Sequence, residues 1–204
     1  MSIELKKCTK KFNEKVILNE VTTTIPNGLF RLIGKNGVGK STFLRMISGL
    51  DKKYLGELTL GNGQTLYLNV EPVGIHPFTL KENLEILWKT FDLNPSEEQL
   101  AKVTEFFDGN LNVSYSKSST GMKAKIGLSL IFVKDWDTIL IDETMSTLDS
   151  DSISMIADTL INSAKKNKST IIYVSHSLIN EKLDKHSNNI MLKGGNILWG
   201  NTLD

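Results

Sequence analysis

The chain has a single cysteine, Cys8, so no internal disulfide framework holds it together, and this usage suits a reducing compartment. Cys8 reads as a small side chain near the core. The four prolines are scattered, and there is no Pro/Gly/Ser linker, low-complexity segment or fixed-period repeat. No apolar run approaches the roughly 20 residues that cross a bilayer. The N-terminus carries Glu4, Lys6 and Lys7 where a signal peptide would need an apolar core. Charge of one sign is missing too. With 24 basic against 23 acidic residues the net charge is +1, so no field draws the protein onto nucleic acid or an anionic membrane. No nucleic-acid partner is expected, and the chain by itself reads as soluble. Its 204 residues, 40% hydrophobic, suit one domain with a full core and room for an inserted subdomain.

The most informative stretch present is Gly34-Lys35-Asn36-Gly37-Val38-Gly39-Lys40-Ser41-Thr42, a complete G-x-x-x-x-G-K-[ST] phosphate loop. The apolar run Leu29 to Ile33 before it reads as a strand. Thr42 to Leu50 after it reads as a helix with Phe43, Ile47 and Leu50 on one face. Glycines at 34, 37 and 39 let successive amides curl around phosphate oxygens at a helix N-terminus. Lys40 reaches the outer phosphates, and the Ser41 hydroxyl suits a Mg²⁺ shared with them. A nucleoside triphosphate is the expected ligand.

Short strands alternate with turns over the first 70 residues: Ile3 to Lys6, Val21 to Ile25, Leu29 to Ile33, Leu55 to Leu60 and Thr65 to Leu68. Pro26-Asn27-Gly28 and Gly61-Asn62-Gly63 punctuate them. From Glu71 to about Ile131 the pattern turns helical. Capping boxes at Thr79 to Glu82 and Ser96 to Gln99 open two helices, the first with Leu80, Leu84, Leu87 and Phe91, the second with Leu100, Val103 and Phe107 inward. Strands return at Thr138 to Ile141 and Thr170 to Val174, nearly all apolar as in parallel strands covered on both faces. Ile153, Ile156, Leu160 and Ala164 mark a crossover helix between them. A hairpin, Ile190 to Leu192 and Ile197 to Trp199, turns on Gly194-Gly195. Met46, Trp88 and Met155 read as core residues.

Asp142-Glu143 follows the second buried strand. An aspartate there lies at the ligand-binding edge of an α/β sheet, where it can hold Mg²⁺ through water, and the next glutamate can polarise an attacking water. His176, after Val174-Ser175, sits at another such edge, whereas His76 and His186 read as surface residues.

The order of these motifs resembles the nucleotide-binding subunit of an ABC (ATP-binding cassette) transporter over essentially the whole chain. The resemblance implies a P-loop NTPase fold of the α/β class, with an N-terminal antiparallel β subdomain and an inserted helical subdomain. One ABC ATPase domain would span 1–204, with 1–70 and 132–204 forming the β subdomain and core and 71–131 the helical subdomain. ATP would be held by Phe12 stacking on adenine and by Asn36, Gly37, Val38, Gly39, Lys40, Ser41 and Thr42. Phe12 also reads, on residue type alone, as a core side chain. Glu143, His176 and Lys40 would be catalytic, with Ser41 and Asp142 serving the metal. Ser146-Thr147-Leu148-Asp149 resembles the D-loop. Ser118-Ser119-Thr120-Gly121-Met122-Lys123 resembles the signature segment, opening a helix with Ile126, Leu130 and Val133, and its 21-residue step from Gly121 to Asp142 matches the family. Ser119, Gly121, Met122 and Asp149 would then contact the ATP of a second ATPase subunit.

Three departures stand out. Thr120 replaces a signature glycine, Thr144 replaces the proline after the catalytic glutamate, and Val70 stands where the family has its Q-loop glutamine. A one-residue shift would bring Glu71 to the metal in that glutamine's place. The resemblance implies an ATPase with ATP and Mg²⁺ as cofactors, working with an integral-membrane transporter subunit at the cytoplasmic face of the membrane. The G-M-K form of the signature and the compact chain resemble ATPases of ABC-2-type exporters. A soluble ABC-type regulator and a weakly hydrolysing, nucleotide-gated binding module remain the alternatives.

Overall fold

The computed structural model describes residues 2–61, 63–166, 168–175 and 178–200. β1 (Ile3–Phe12) and β2 (Lys15–Ile25) form an antiparallel hairpin, and β4 (Leu55–Leu60) pairs with the other edge of β1 in a three-stranded sheet. Both hairpin strands run well beyond the segments expected from alternation. Lys7 and Glu20 take left-handed φ values of 49° and 50°, and register shifts beside Cys8 return Cys8, Lys10 and Leu18 to the buried face. A period-2 reading loses the strand at such bulges. Gly56 makes the first of them possible, since a Cβ there would sit 2.4 Å from the Lys7 carbonyl oxygen. Cys8 is buried, its Sγ donating to the Glu57 carbonyl, and burial pushes its thiol pKa up. Lys10 is only 2% exposed and reaches Asp51 at 2.6 Å, which holds that carboxyl below its usual range despite some desolvation.

A second, six-stranded sheet has the order β5-β6-β7-β3-β8-β9. It consists of β3 (Gly28–Ile33), β5 (Thr65–Leu68), β6 (Thr138–Asp142), β7 (Thr170–Val174), β8 (Asn188–Lys193) and β9 (Asn196–Trp199). All pairings are parallel except β8 with β9. The α/β class expected from the sequence is therefore the one observed. Alternate residues of the fully buried strands feed two cores. Ile139, Ile141, Ile171 and Tyr173 face one, with α6 (Ser150–Lys166), while Leu140, Ile172, Val174 and Leu32 face the other, with α1 (Lys40–Ile47) and the three-stranded sheet. Trp88 and Met155 pack against the first core and Met46 lies in the second.

The connection from β5 to β6 carries α2 (Leu80–Thr90), α3 (Glu97–Phe106), α4 (Thr120–Leu128) and α5 (Leu130–Val133). Both capping boxes form. The expected helical span is interrupted, however, because Pro72, Gly74 and Pro77 leave 69–78 irregular, as residues without a free amide or a side chain do. The single helix expected across Ile126, Leu130 and Val133 is two. Ser129 Oγ donates back to the Ile126 carbonyl at 2.7 Å and Trp136 Nε1 caps the Leu130 carbonyl at 2.9 Å, competing with helix continuation. Leu50, expected on the face of Phe43 and Ile47, and Leu100, expected inward, are 70% and 39% exposed. α1 ends at Ile47, before Leu50, and only the later turns of α3 are covered, through Val103, Phe106 and Phe107. Phe106, edge-on to Phe107 and Phe132, is a core residue the periodic reading passed over. Finally, α7 (Glu181–Lys185) leads into β8, and Asp184 on it pairs with Arg31 of β3 at 3.1 Å. His76 and His186 are exposed, as expected.

Candidate functional site

β3 lies inside the parallel sheet, so its C-terminal end opens onto the edge where β6 and β7 also end. The loop from Gly34 to Gly39 leaves that end and enters α1. Its backbone needs glycine. Gly39 has φ 115°, and a Cβ there would lie 2.5 Å from Ile17 Cδ1; Gly34 has φ 151°, and a Cβ would lie 2.9 Å from the Leu192 carbonyl oxygen. No side chain caps α1 and no acid stands in its first turn, so its N-terminal amides and the positive end of its dipole are left for an anion. Lys40 is 8% exposed and bends back, Nζ donating to the Gly34 carbonyl at 2.9 Å and the Lys35 carbonyl at 3.4 Å.

The β1–β2 hairpin leans over this loop. Lys15 Nζ donates to the Gly37 carbonyl, and Phe12, paired with Lys15 in register, is 55% exposed beside it. The core reading of Phe12 is thereby excluded. Phe12, Asn36, Gly37, Gly39, Lys40, Ser41, Thr42 and Glu143 line one cleft of about 320 Å³, closed on the hairpin side by Lys15 and Ile17. The sequence reading missed those last two residues, because the register that sets Lys15 opposite Phe12 emerges only from the strand pairing. Val38 donates its amide to the Lys35 carbonyl at 3.1 Å and lines an adjoining cavity of about 850 Å³ that shares Asn36 and Lys40 with this cleft.

Asp142 ends β6 and is 6% exposed. Its Oδ2 accepts from the Tyr67 hydroxyl at 3.3 Å, whereas its Oδ1 has no hydrogen-bond partner among the described residues. Burial, with the adjacent Asp142 charge, pushes the Tyr67 phenol pKa up against the opposing influence of Arg45 on α1. Tyr67 was not singled out from the sequence, since an aromatic in a short strand reads as core. Glu143 turns out of the strand with φ 62°, a left-handed conformation that costs a non-glycine residue about 1–3 kcal/mol, and it lines the phosphate-loop cleft. Ser146 holds the bend by donating from its amide and its hydroxyl to the Glu143 carbonyl. Thr144, in place of the expected proline, is buried, its hydroxyl donating to the Asp142 carbonyl at 3.4 Å. His176 lies outside the described residues; Ser175 before it is buried, and its Oγ has no hydrogen-bond partner among the described residues.

Glu71 lines a narrow cleft with Tyr67, Thr144, Ala124 and Gly127 that shares no residue with the phosphate-loop cleft, and Val70 is 58% exposed. Among the described residues no three His, Cys, Asp or Glu side chains converge as a metal cage. Ser41 lines the phosphate-loop cleft, and Asp142, at the end of β6, keeps Oδ1 without a partner among the described residues; a hydroxyl and a carboxylate oxygen are donors that suit a Mg²⁺ completing its shell with phosphates and water.

Ser119 caps α4, its Oγ accepting from the Met122 amide at 3.1 Å. Gly121 packs so closely on the turn Thr144–Thr147 that a Cβ would sit 2.7 Å from the Thr147 carbonyl oxygen. Asp149 caps α6 by accepting from the Ser152 amide and hydroxyl at 2.8 and 2.9 Å, and pairs with Lys125 at 3.2 Å. Partial desolvation is outweighed by these partners, and the Asp149 pKa falls to about 2. Lys125, 5% exposed, also reaches Asp108 at 3.4 Å and lies over the Phe106 ring. None of the residues lining the phosphate-loop cleft comes from α4.

A family profile described as ABC transporter matches residues 18–146. Over 201 residues the chain is 29% identical to the zinc import ATP-binding protein of Rickettsia conorii, covering 96% of this chain and 84% of that protein. It is 28% identical over 192 residues to the Nod factor export ATP-binding protein I of Rhizobium johnstonii, covering 86% of this chain and 61% of that protein. A dimeric structure of an ATP-binding cassette in a post-hydrolysis state, bound to ADP and Pi, superposes with a TM-score of 0.76 at 22% identity, covering 96% of each chain. No helix among the described residues is long and apolar enough to cross a membrane. Because the profile takes in the phosphate loop, the α4 signature and the Asp142-Glu143 edge alike, the chain belongs to the ABC transporter family, as its ATP-binding, ATP-hydrolysing domain.

Proposed function

We propose that this domain dimerises on ATP, hydrolyses it at the dimer interface and drives a separate integral-membrane subunit from the cytoplasmic face of the membrane. The observation that carries the reading is the one-sidedness of the cleft. Phe12, the phosphate loop and Glu143 line it, while the capped N-terminus of α4 stays outside it and exposed. A second copy, or a related ATPase subunit, supplies Ser119, Gly121 and Met122 to close the site, with the D-loop around Asp149 at the seam.

Phe12 stacks on the adenine, and the amides of Asn36 to Thr42 hold the phosphates. Lys40 exchanges its bonds to the Gly34 and Lys35 carbonyls for phosphate oxygens. Ser41 and Asp142 would hold a Mg²⁺, which when bound would supply neutralisation of the phosphate charge. Glu143, aimed into the cleft by its left-handed backbone, orients and polarises the attacking water, and His176 bonds the γ-phosphate. The helical region 71–131, with the exposed Val70 and Ile75, docks the membrane subunit. Export is the direction favoured by the Gly121-Met122-Lys123 form of the signature.

Light scattering tests the composite site. A Glu143→Gln protein is expected to dimerise in ATP and not in ADP. Adding Ser119→Arg should abolish the dimer while affinity for ADP, which does not drive dimerisation, stays at its Glu143→Gln value. A dimer that survives Ser119→Arg overturns the assignment of α4 to the partner's nucleotide. ATP-driven uptake into inside-out vesicles, with the complex purified from its native membrane, tests the direction: accumulation supports export and depletion contradicts it.

A further inference from the structure

We propose that Tyr67 is a positioning residue for the metal carboxylate Asp142. The strand register pairs Tyr67 of β5 with Leu140 of β6, so the phenol ring stands on the same sheet face as Leu140 and, two residues on, Asp142. That face is the α1 side, where Tyr67 packs against the core formed by α1 and the three-stranded sheet. From there its hydroxyl donates to Asp142 Oδ2 at 3.3 Å. The carboxylate is thus held by one oxygen, and the other, Oδ1, is buried without a partner among the described residues.

Such an arrangement does more than satisfy a tyrosine. A buried carboxylate with one oxygen hydrogen-bonded has its rotation restrained, and Oδ1 is the oxygen it offers most freely to a metal. Ligating carboxylates are typically hydrogen-bonded in this way, and loss of such an outer partner weakens metal binding by roughly 10–100-fold. At 3.3 Å the bond is long for an O–H donor, which puts the effect at the low end of that range. The mobile alternative, a tyrosine that merely fills the core and parks its hydroxyl on a convenient acceptor, predicts no metal effect. The inference rests on the reading that Asp142 serves the metal.

The test compares the full chain with its Tyr67→Phe, Asp142→Asn and doubly substituted forms. Affinity for a fluorescent ADP analogue is measured in EDTA, and Mn²⁺ binding to the protein–ADP complex is read by electron paramagnetic resonance. Tyr67→Phe is expected to leave metal-free ADP affinity unchanged and to weaken Mn²⁺ about tenfold. In the Asp142→Asn background the same substitution should do nothing further. Wild-type Mn²⁺ affinity in Tyr67→Phe overturns the proposal, as does a parallel loss of metal-free ADP affinity, which would mark a purely structural residue. If Asp142→Asn itself leaves Mn²⁺ affinity intact, the assignment of Asp142 to the metal fails instead.

Discussion

Phe12→Ala isolates the base-binding half of the cleft from the phosphate-binding half. The ring is 55% exposed at the tip of a hairpin, so it contributes little to the core, and truncation should change stability by no more than about 0.5 kcal/mol. Stacking a base on an aromatic ring is worth about 1–3 kcal/mol by alanine substitution. The hairpin is tied to the phosphate loop through Lys15 and Gly37, so the ring is held in place before nucleotide arrives. ADP affinity should therefore fall by about 5–150-fold. Inorganic pyrophosphate has no base and occupies only the Gly34 to Thr42 loop, so its affinity should not change. Calorimetric titration with both ligands makes the comparison, and Phe12→Trp should restore ADP binding. Unchanged ADP affinity in Phe12→Ala, or an equal loss for pyrophosphate, would refute the placement of adenine on this ring.

Gly39→Ala combines a left-handed φ of 115° with a Cβ 2.5 Å from Ile17 Cδ1, so it should lower stability by about 1–3 kcal/mol and weaken ADP; a chemical denaturation midpoint at the wild-type value would contradict the strain argument. Asp149 has its carboxyl lowered to about 2, so its stabilisation is full above the unfolded value near 4 and disappears as pH falls toward 2. Linkage alone allows about 2 kcal/mol, which solvent screening of a carboxylate 56% exposed reduces to about 1 kcal/mol. Asp149→Asn should thus flatten the acid limb of the stability curve and converge on wild type as pH falls through 2, as urea unfolding at stepped pH would show.

The sheet and the phosphate loop were legible in the sequence because their signals are local. Four buried strand residues in a row at Ile139 to Asp142, and glycines that the backbone itself demands at Gly34 and Gly39, need no tertiary context. The bulges at Lys7 and Glu20 hid half of the hairpin, since one left-handed residue reverses the side-chain alternation on which strand reading depends. The helix break at Ser129 was hidden by an apolar run that suits either one helix or two. Tyr67 was invisible for another reason. Its partner is 75 residues away in sequence, and only the β5–β6 register brings the hydroxyl to Asp142. Glu71 was legible as a carboxylate near the right strand, and in the fold it lines a cleft with Tyr67 and Thr144 on one side and Ala124 and Gly127 of α4 on the other.

The central claim is that ATP held by the phosphate loop is hydrolysed through Glu143. The direct measurement is phosphate release from Mg²⁺-ATP by the wild-type and Glu143→Gln proteins at matched nucleotide saturation. Wild-type turnover that falls at least about 100-fold in Glu143→Gln, with ATP affinity retained, is the predicted result. Equal turnover by the two proteins would contradict it.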